Sequence, residues 1–242
     1  AEARRLRRNH RAHRLWAGPL DSPGRRLHAW IDLLLADHGL IRLIHLNLHP
    51  VGAARPPRAW RAAQPTPRQL RRLARRHGLR SVIWLRGGRL FGAWPLERRL
   101  CAAEGLALHR LVLRSRGLPA PAELAEALAL LRRVETPVLF HCKSGADRAG
   151  LMAALWLIAV EGRPAAEAAG QLSLRYGHLS VGPTGVLDAF LAEAAAAEAR
   201  GVPFETWAAT EYDPAAITAR FRNSGRAGGW GRWLVDRVLR RE

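Results

Sequence analysis

Pro137-Val138-Leu139-Phe140-His141-Cys142-Lys143-Ser144-Gly145-Ala146-Asp147-Arg148-Ala149-Gly150 decides how this chain is read. A brief apolar strand, Pro137 to Phe140, runs straight into a polar loop, and Leu151 to Val160 then forms an apolar helix ended by Gly162. A loop in that position turns successive backbone N–H groups inward as an anion nest, and the following helix adds the positive end of its dipole. Gly145 supplies the backbone freedom such a turn needs. Arg148 closes the loop with a planar fork that grips two oxygens of a phosphoryl group at once. Cys142 opens it, in a positive field that favours the thiolate over the thiol.

Working outward, the same strand-loop-helix alternation recurs. Thr66 as N-cap and Pro67 at the first helical position open a helix through His77, ended by Gly78. Ser81 to Leu85 reads as a buried strand, Leu96 to Glu104 as a helix, Leu106 to Leu113 as a strand and Pro121 to Arg133 as a helix. Further helices are expected near Pro164, Thr184 and Pro214. Strands alternating with helices predict an α/β fold, a mostly parallel central sheet flanked by helices, with the catalytic loop between a strand and a helix. Trp30, Leu33, Leu34, Leu40, Ile41 and Ile44 suggest one or two amphipathic helical turns interrupted at Gly39. They either pack on the domain or rest on an anionic membrane, with Arg42, His38 and His45 flanking the apolar face. Residues 1–26 read as an irregular Arg-rich entry, and Gly225 to Gly231 loosens the chain before a short basic end. The expected organisation is a basic N-terminal extension with an amphipathic helix over 1–57, a phosphate-handling domain over 58–200 and a C-terminal helical extension packed on it over 201–242.

Composition narrows the classes. With 242 residues, 48% apolar and 24% charged, the chain suits one well-buried domain and disfavours wholesale disorder or a disulfide scaffold. No apolar run reaches the roughly 18 residues of a transmembrane helix, and the N-terminal stretch carries no apolar core of a secretory signal. The 39 basic residues against 20 acidic ones favour anionic partners. Lys143 is the sole lysine; the other basic residues are arginines spread along the whole chain, as a GC-rich genome would give. The nine tryptophans are scattered, and no aromatic-rich basic groove is legible, so nucleic acid is not the expected partner. Cys101 and Cys142 are too few for a disulfide framework and suit a reducing compartment. The expected location is therefore cytoplasmic, with peripheral contact at the inner membrane as the open alternative. No Cys pair at zinc spacing and no nucleotide-binding glycine motif occurs, so no metal or other cofactor is expected.

The Cys142–Arg148 loop resembles that of the Cys-x5-Arg phosphatases, the superfamily of protein tyrosine and dual-specificity phosphatases. More widely, AWRAAQPTPRQL, HGLRSVIWLRG and QLSLRYGHL look like a bacterial tyrosine-phosphatase-like family over roughly residues 58–190. The resemblance implies metal-free hydrolysis of phosphomonoesters through a phosphocysteine on Cys142, with Arg148 and the loop amides holding the equatorial oxygens. It implies substrate contacts along His141, Lys143, Ser144, Gly145 and Ala146. The substrate is a phosphorylated protein or, as the alternative, a phosphorylated lipid or glycolipid.

Two departures stand out. Many relatives take a general acid from an upstream aspartate, yet no Asp occurs between Asp37 and Asp147, and the equivalent stretch reads Leu113-Arg114-Ser115-Arg116-Gly117. The acid role therefore falls to Asp147, as in those bacterial and lipid-directed members with Asp just before the motif arginine. If Asp147 only braces Arg148 or caps the helix, Glu97 or Glu104 serves instead. Ala149 stands where many members have Ser or Thr, which predicts slow breakdown of the phosphocysteine or, at the extreme, a phosphate-binding pseudophosphatase. Arg114, Arg116 and Gln171 are further candidates for anion or pocket contacts, and Tyr176 and His178 either line the pocket or pack the fold. Cys101 is either an inert buried thiol or a disulfide partner for Cys142.

Overall fold

A computed structural model describes residues 19–36, 39–87 and 92–225. The Arg-rich entry up to residue 18, His38, the loop around Arg89 and the basic end beyond Gly225 lie outside them.

Among the described residues, five strands form one sheet in the order β1-β2-β5-β3-β4: β1 His49–Val51, β2 Ala59–Ala62, β3 Ser81–Trp84, β4 Ala107–Arg110 and β5 Val138–His141. β2, β5, β3 and β4 run parallel, and only β1 pairs antiparallel, with β2. The expected fold class is therefore observed, with one reversed edge strand. The helices are α1 Pro23–Ile31, α2 Gly39–Ile44, α3 Pro67–His77, α4 Ala93–Glu104, α5 Pro121–Arg133, α6 Asp147–Ala159, α7 Ala165–Ala168, α8 Val186–Ala199, α9 Phe204–Thr210 and α10 Pro214–Asn223. No helix among the described residues is long and apolar enough to cross a membrane.

Strand side chains alternate between faces, and the sheet is covered on both. Ile83, Val138 and Phe140 point into the larger core, shared with α5, α6 and α8. Val82 and Leu139 point the other way, against Leu70 and Leu73 of α3 and Leu100 of α4. Central β5 is buried at every position, so the loop that follows it starts from a fixed point. α6 is buried from Asp147 through Ile158, which explains its lack of a polar stripe.

α3 has the expected boundaries: Thr66 and Gln69 form a capping box, and Gly78 ends the helix at φ 60°. α6 begins four residues before the expected Leu151, because Asp147 at its first position suits the dipole there. Regular pairing in β4 stops at Arg110, although Leu111 N–H still reaches the Trp84 carbonyl at 3.0 Å and Leu113 N–H the Leu85 carbonyl at 3.4 Å. β1 and β2 were not expected; Ala-Trp-Arg-Ala carries no β-branched residue. Through β1 the sheet begins before residue 58. At the other end, α9 places Phe204 and Trp207 against Phe190, and the Tyr212 hydroxyl donates to the Pro119 carbonyl at 2.7 Å.

Candidate active site

The loop from Cys142 to Arg148 is held from outside by its carbonyls. The Lys143 carbonyl accepts from Arg42 Nη1 at 2.9 Å and from the Gln64 N–H at 3.3 Å. The Ser144 carbonyl accepts from Asn47 Nδ2 at 3.1 Å. Arg61 Nη2 donates to the carbonyls of both Gly145, at 2.8 Å, and Ala146, at 2.9 Å. In a trans peptide the N–H points opposite to its C=O, so four carbonyls pulled outward turn the N–H groups of Ser144, Gly145, Ala146 and Asp147 inward. The Gly145 N–H accordingly reaches the Cys142 sulfur at 3.3 Å. Gly145 has φ 75°, and a Cβ there would come within 2.6 Å of Ala63 N and 2.8 Å of the Ala62 carbonyl carbon, so both its conformation and its space require glycine.

Arg61 is the buried anchor of this arrangement. It comes from β2, between the edge strand and β5, is fully buried, and also donates from Nη1 to the Gln171 carbonyl at 2.6 Å and to Gln171 Oε1 at 2.9 Å. Its guanidinium stacks 4.1 Å from the Tyr176 ring. Burial pulls its pKa down to about 10, against the opposing charges of Cys142, Tyr176 and Asp147, so it remains a cation at neutral pH. Asn47 Nδ2 adds a bond to the Tyr176 carbonyl at 2.9 Å, tying the loop to the turns near residue 176.

His141 is fully buried beneath the loop. Its Nε2 lies 2.8 Å from Glu97 Oε1, and its ring meets Trp84 edge to face. The other Glu97 oxygen accepts from Gln64 Nε2 at 2.6 Å. Glu97 is thus committed to orienting His141, and Glu104 lies at the end of α4 in ion pairs with exposed Arg71 and Arg75. Arg148 is buried in the first turn of α6. Asp147, also buried, lies 2.8 Å from His178 Nδ1, and His178 Nε2 lies 2.7 Å from Asp188 Oδ2. Burial opposes charge on His178, but the hydrogen bonds and charges of the two aspartates outweigh it, and the net effect raises its pKa.

Lys143 and Ser144 are half-buried, while Gly145 and Ala146 are buried. Gln171 serves Arg61, Arg114 pairs with Glu123 at 3.3 Å on the surface, and Arg116 is exposed. Cys101 and Cys142 are both buried and not in a disulfide; burial, with the charge of Glu97 adding to it, pushes the Cys101 pKa up to about 12. From sequence, Arg42 had a place only beside an apolar face, and Arg61 and Asn47 were passed over. Only Arg61 left a local signal, as a charge inside an otherwise apolar Ala59 to Ala63 run.

Residues 105–166 match the model of the tyrosine phosphatase family. No curated protein matches the chain. Among solved structures, the chain is similar to TpbA of P. aeruginosa, at 19% identity over 74% of this chain and 92% of that one, with a TM-score of 0.42. It is similar to the core catalytic domain of the PP-IP phosphatase SIW14 from S. cerevisiae at 17% identity, over 75% and 94% of the two chains, with a TM-score of 0.48. A putative phosphatase from Shewanella putrefaciens is 21% identical over 65% and 97%, with a TM-score of 0.47. The matched stretch contains the whole Cys142–Arg148 loop, and over that stretch the chain is similar to the tyrosine phosphatase family.

Proposed function

We propose that this chain hydrolyses phosphomonoesters by covalent catalysis, with phosphotyrosine or phosphoserine/threonine in proteins as the substrate class. The Cys142 thiolate attacks phosphorus while the loop amides and Arg148 hold the three equatorial oxygens, and water then cleaves the phosphocysteine. The observation that carries this reading is the outward anchoring of four successive loop carbonyls by Arg42, Asn47 and Arg61, which leaves the amides facing the sulfur. Sulfur as nucleophile needs no metal-activated water. The expected result is hydrolysis of p-nitrophenyl phosphate that survives EDTA and is blocked by vanadate. Vanadate binding without turnover would instead make this a phosphate-binding pseudophosphatase.

A second reading, a phosphorylated lipid or glycolipid, is favoured by one surface. Leu27, Ile31 and Leu35, four residues apart, are exposed along α1 and its continuation; Leu40, Leu43 and Ile44 are exposed on α2, Ile44 at 93%. α2 is the element whose Arg42 grips the loop, and its backbone carbonyl at Arg42 accepts from Gln69 at the start of α3, whose outer face carries Arg68, Arg71, Arg72, Arg75 and Arg76. An apolar ridge beside a cationic face suits an anionic bilayer. Co-sedimentation with phosphatidylglycerol vesicles is expected, weakened tenfold or more by Leu43→Asp with Ile44→Asp, since each buried side chain contributes about 1.5–3 kcal/mol. A wild-type chain that stays in the supernatant at low salt contradicts this second reading.

A further inference from the structure

We infer that His178, with Asp188 behind it, is the proton reservoir of this site: a buried relay that charges and discharges Asp147 during the two chemical steps. The inference rests on the phosphatase reading and on Asp147 as the group facing the leaving oxygen. It answers a specific difficulty. The sequence provides no aspartate between Asp37 and Asp147, and Asp147 itself is buried 2.8 Å from the His178 imidazole, at the first position of α6. An ionised carboxylate by itself has no proton to donate.

The array supplies one. The His178 side chain is 1% exposed and Asp147 3%, but Asp188 is 23% exposed, so the chain Asp147–His178–Asp188 leads from the loop to solvent. With both ring nitrogens within 2.8 Å of a carboxylate oxygen, His178 as imidazolium donates in both directions. The charged groups around it are Asp147 and Arg148 on α6, Asp188 on α8 and, through its field on Asp147, Arg61 on β2. Thr184 Oγ1 donates to the Leu179 carbonyl at 2.8 Å and secures the turn that carries the histidine.

In the first step the S–P bond forms and the bond from phosphorus to the leaving oxygen breaks. That oxygen takes a proton through the Asp147 carboxylate, and the His178 Nδ1 proton replaces it, leaving a neutral ring that still donates from Nε2 to Asp188. In the second step water attacks phosphorus and the S–P bond breaks. The water's proton returns through Asp147 to His178, so the cycle closes with no net change in the array. Cys142 leaves as the thiolate it began as.

The test compares phenyl phosphate, whose leaving group needs protonation, with p-nitrophenyl phosphate, whose leaving group needs little. In His178→Asn, whose amide keeps a donor toward Asp147, kcat for phenyl phosphate is expected to fall by about 10²–10⁴, and that for p-nitrophenyl phosphate by less than about tenfold. Asp188→Asn, at a partly exposed position, should lower phenyl phosphate turnover in the same sense and move the alkaline limb of its kcat profile to lower pH. The ring ¹⁵N resonances of His178 should report both nitrogens protonated at pH 7. Equal losses on both substrates, no loss on either, or a neutral ring at pH 7 would overturn the relay alone. A wild-type enzyme inert toward both substrates would overturn the phosphatase reading beneath it.

Discussion

Cys142→Ser is expected to lower turnover of p-nitrophenyl phosphate by at least ~10⁴-fold, the scale on which enzymes lose rate with their nucleophile, while leaving binding of inorganic phosphate measurable. The two outcomes separate because they belong to different parts of the loop. A serine hydroxyl in the same place remains protonated at neutral pH and is a poor nucleophile toward phosphorus. On the proposed reading the oxyanion contacts come from backbone amides and Arg148, and the carbonyl anchors that orient those amides, Arg42, Asn47 and Arg61, do not involve the sulfur. Steady-state kinetics with calorimetric titration of phosphate checks both. Loss of phosphate binding to the same extent as turnover would mean that the sulfur holds the loop together.

Arg61→Met carries the other large effect. It removes the donor that four acceptors share: the carbonyls of Gly145, Ala146 and Gln171 and the Gln171 side chain. Each buried acceptor left without a donor costs about 1–3 kcal/mol, partly offset because the methionine avoids burying a charge. A net loss of about 3–5 kcal/mol in urea unfolding is expected. Turnover should fall by at least ~10²-fold under conditions where the variant is folded, since a displacement of about 1 Å at reacting groups costs that much. Arg61→Lys keeps the charge but lacks the fork, so it should recover stability more than rate. A folded Arg61→Met enzyme with unaltered kcat would show that the loop amides do not need this anchor.

How far the sequence reveals this molecule depends on whether a feature is local. The loop, its flanking β5 and α6, and the start and end of α3 all follow from short-range chemistry: an apolar strand, a glycine at positive φ, a Thr-Pro start and a Gly stop. Arg61 is different. In a chain with 39 basic residues, one more arginine carries no weight, and β2 has no β-branched side chain to announce a strand around it. Asn47 and Arg42 act on residues about a hundred positions away, a relation no periodicity encodes. The Asp147–His178–Asp188 array is legible only once the short turns at Ala169–Gln171 and Leu174–Tyr176 bring the chain back under α6. Glu97 and Glu104 were indistinguishable as acid candidates in sequence; packing gives one to His141 and Gln64 and the other to Arg71 and Arg75.

The most direct measurement is rapid quenching of the enzyme during turnover of p-nitrophenyl phosphate, followed by mass spectrometry of the peptide that spans residues 141–148. Ala149, in place of a hydroxyl residue behind Arg148, favours accumulation of the intermediate. The account predicts a single phosphoryl group on the Cys142 sulfur, absent from Cys142→Ser. A turning-over enzyme with that peptide unmodified, or with the phosphoryl group on another residue, would contradict it.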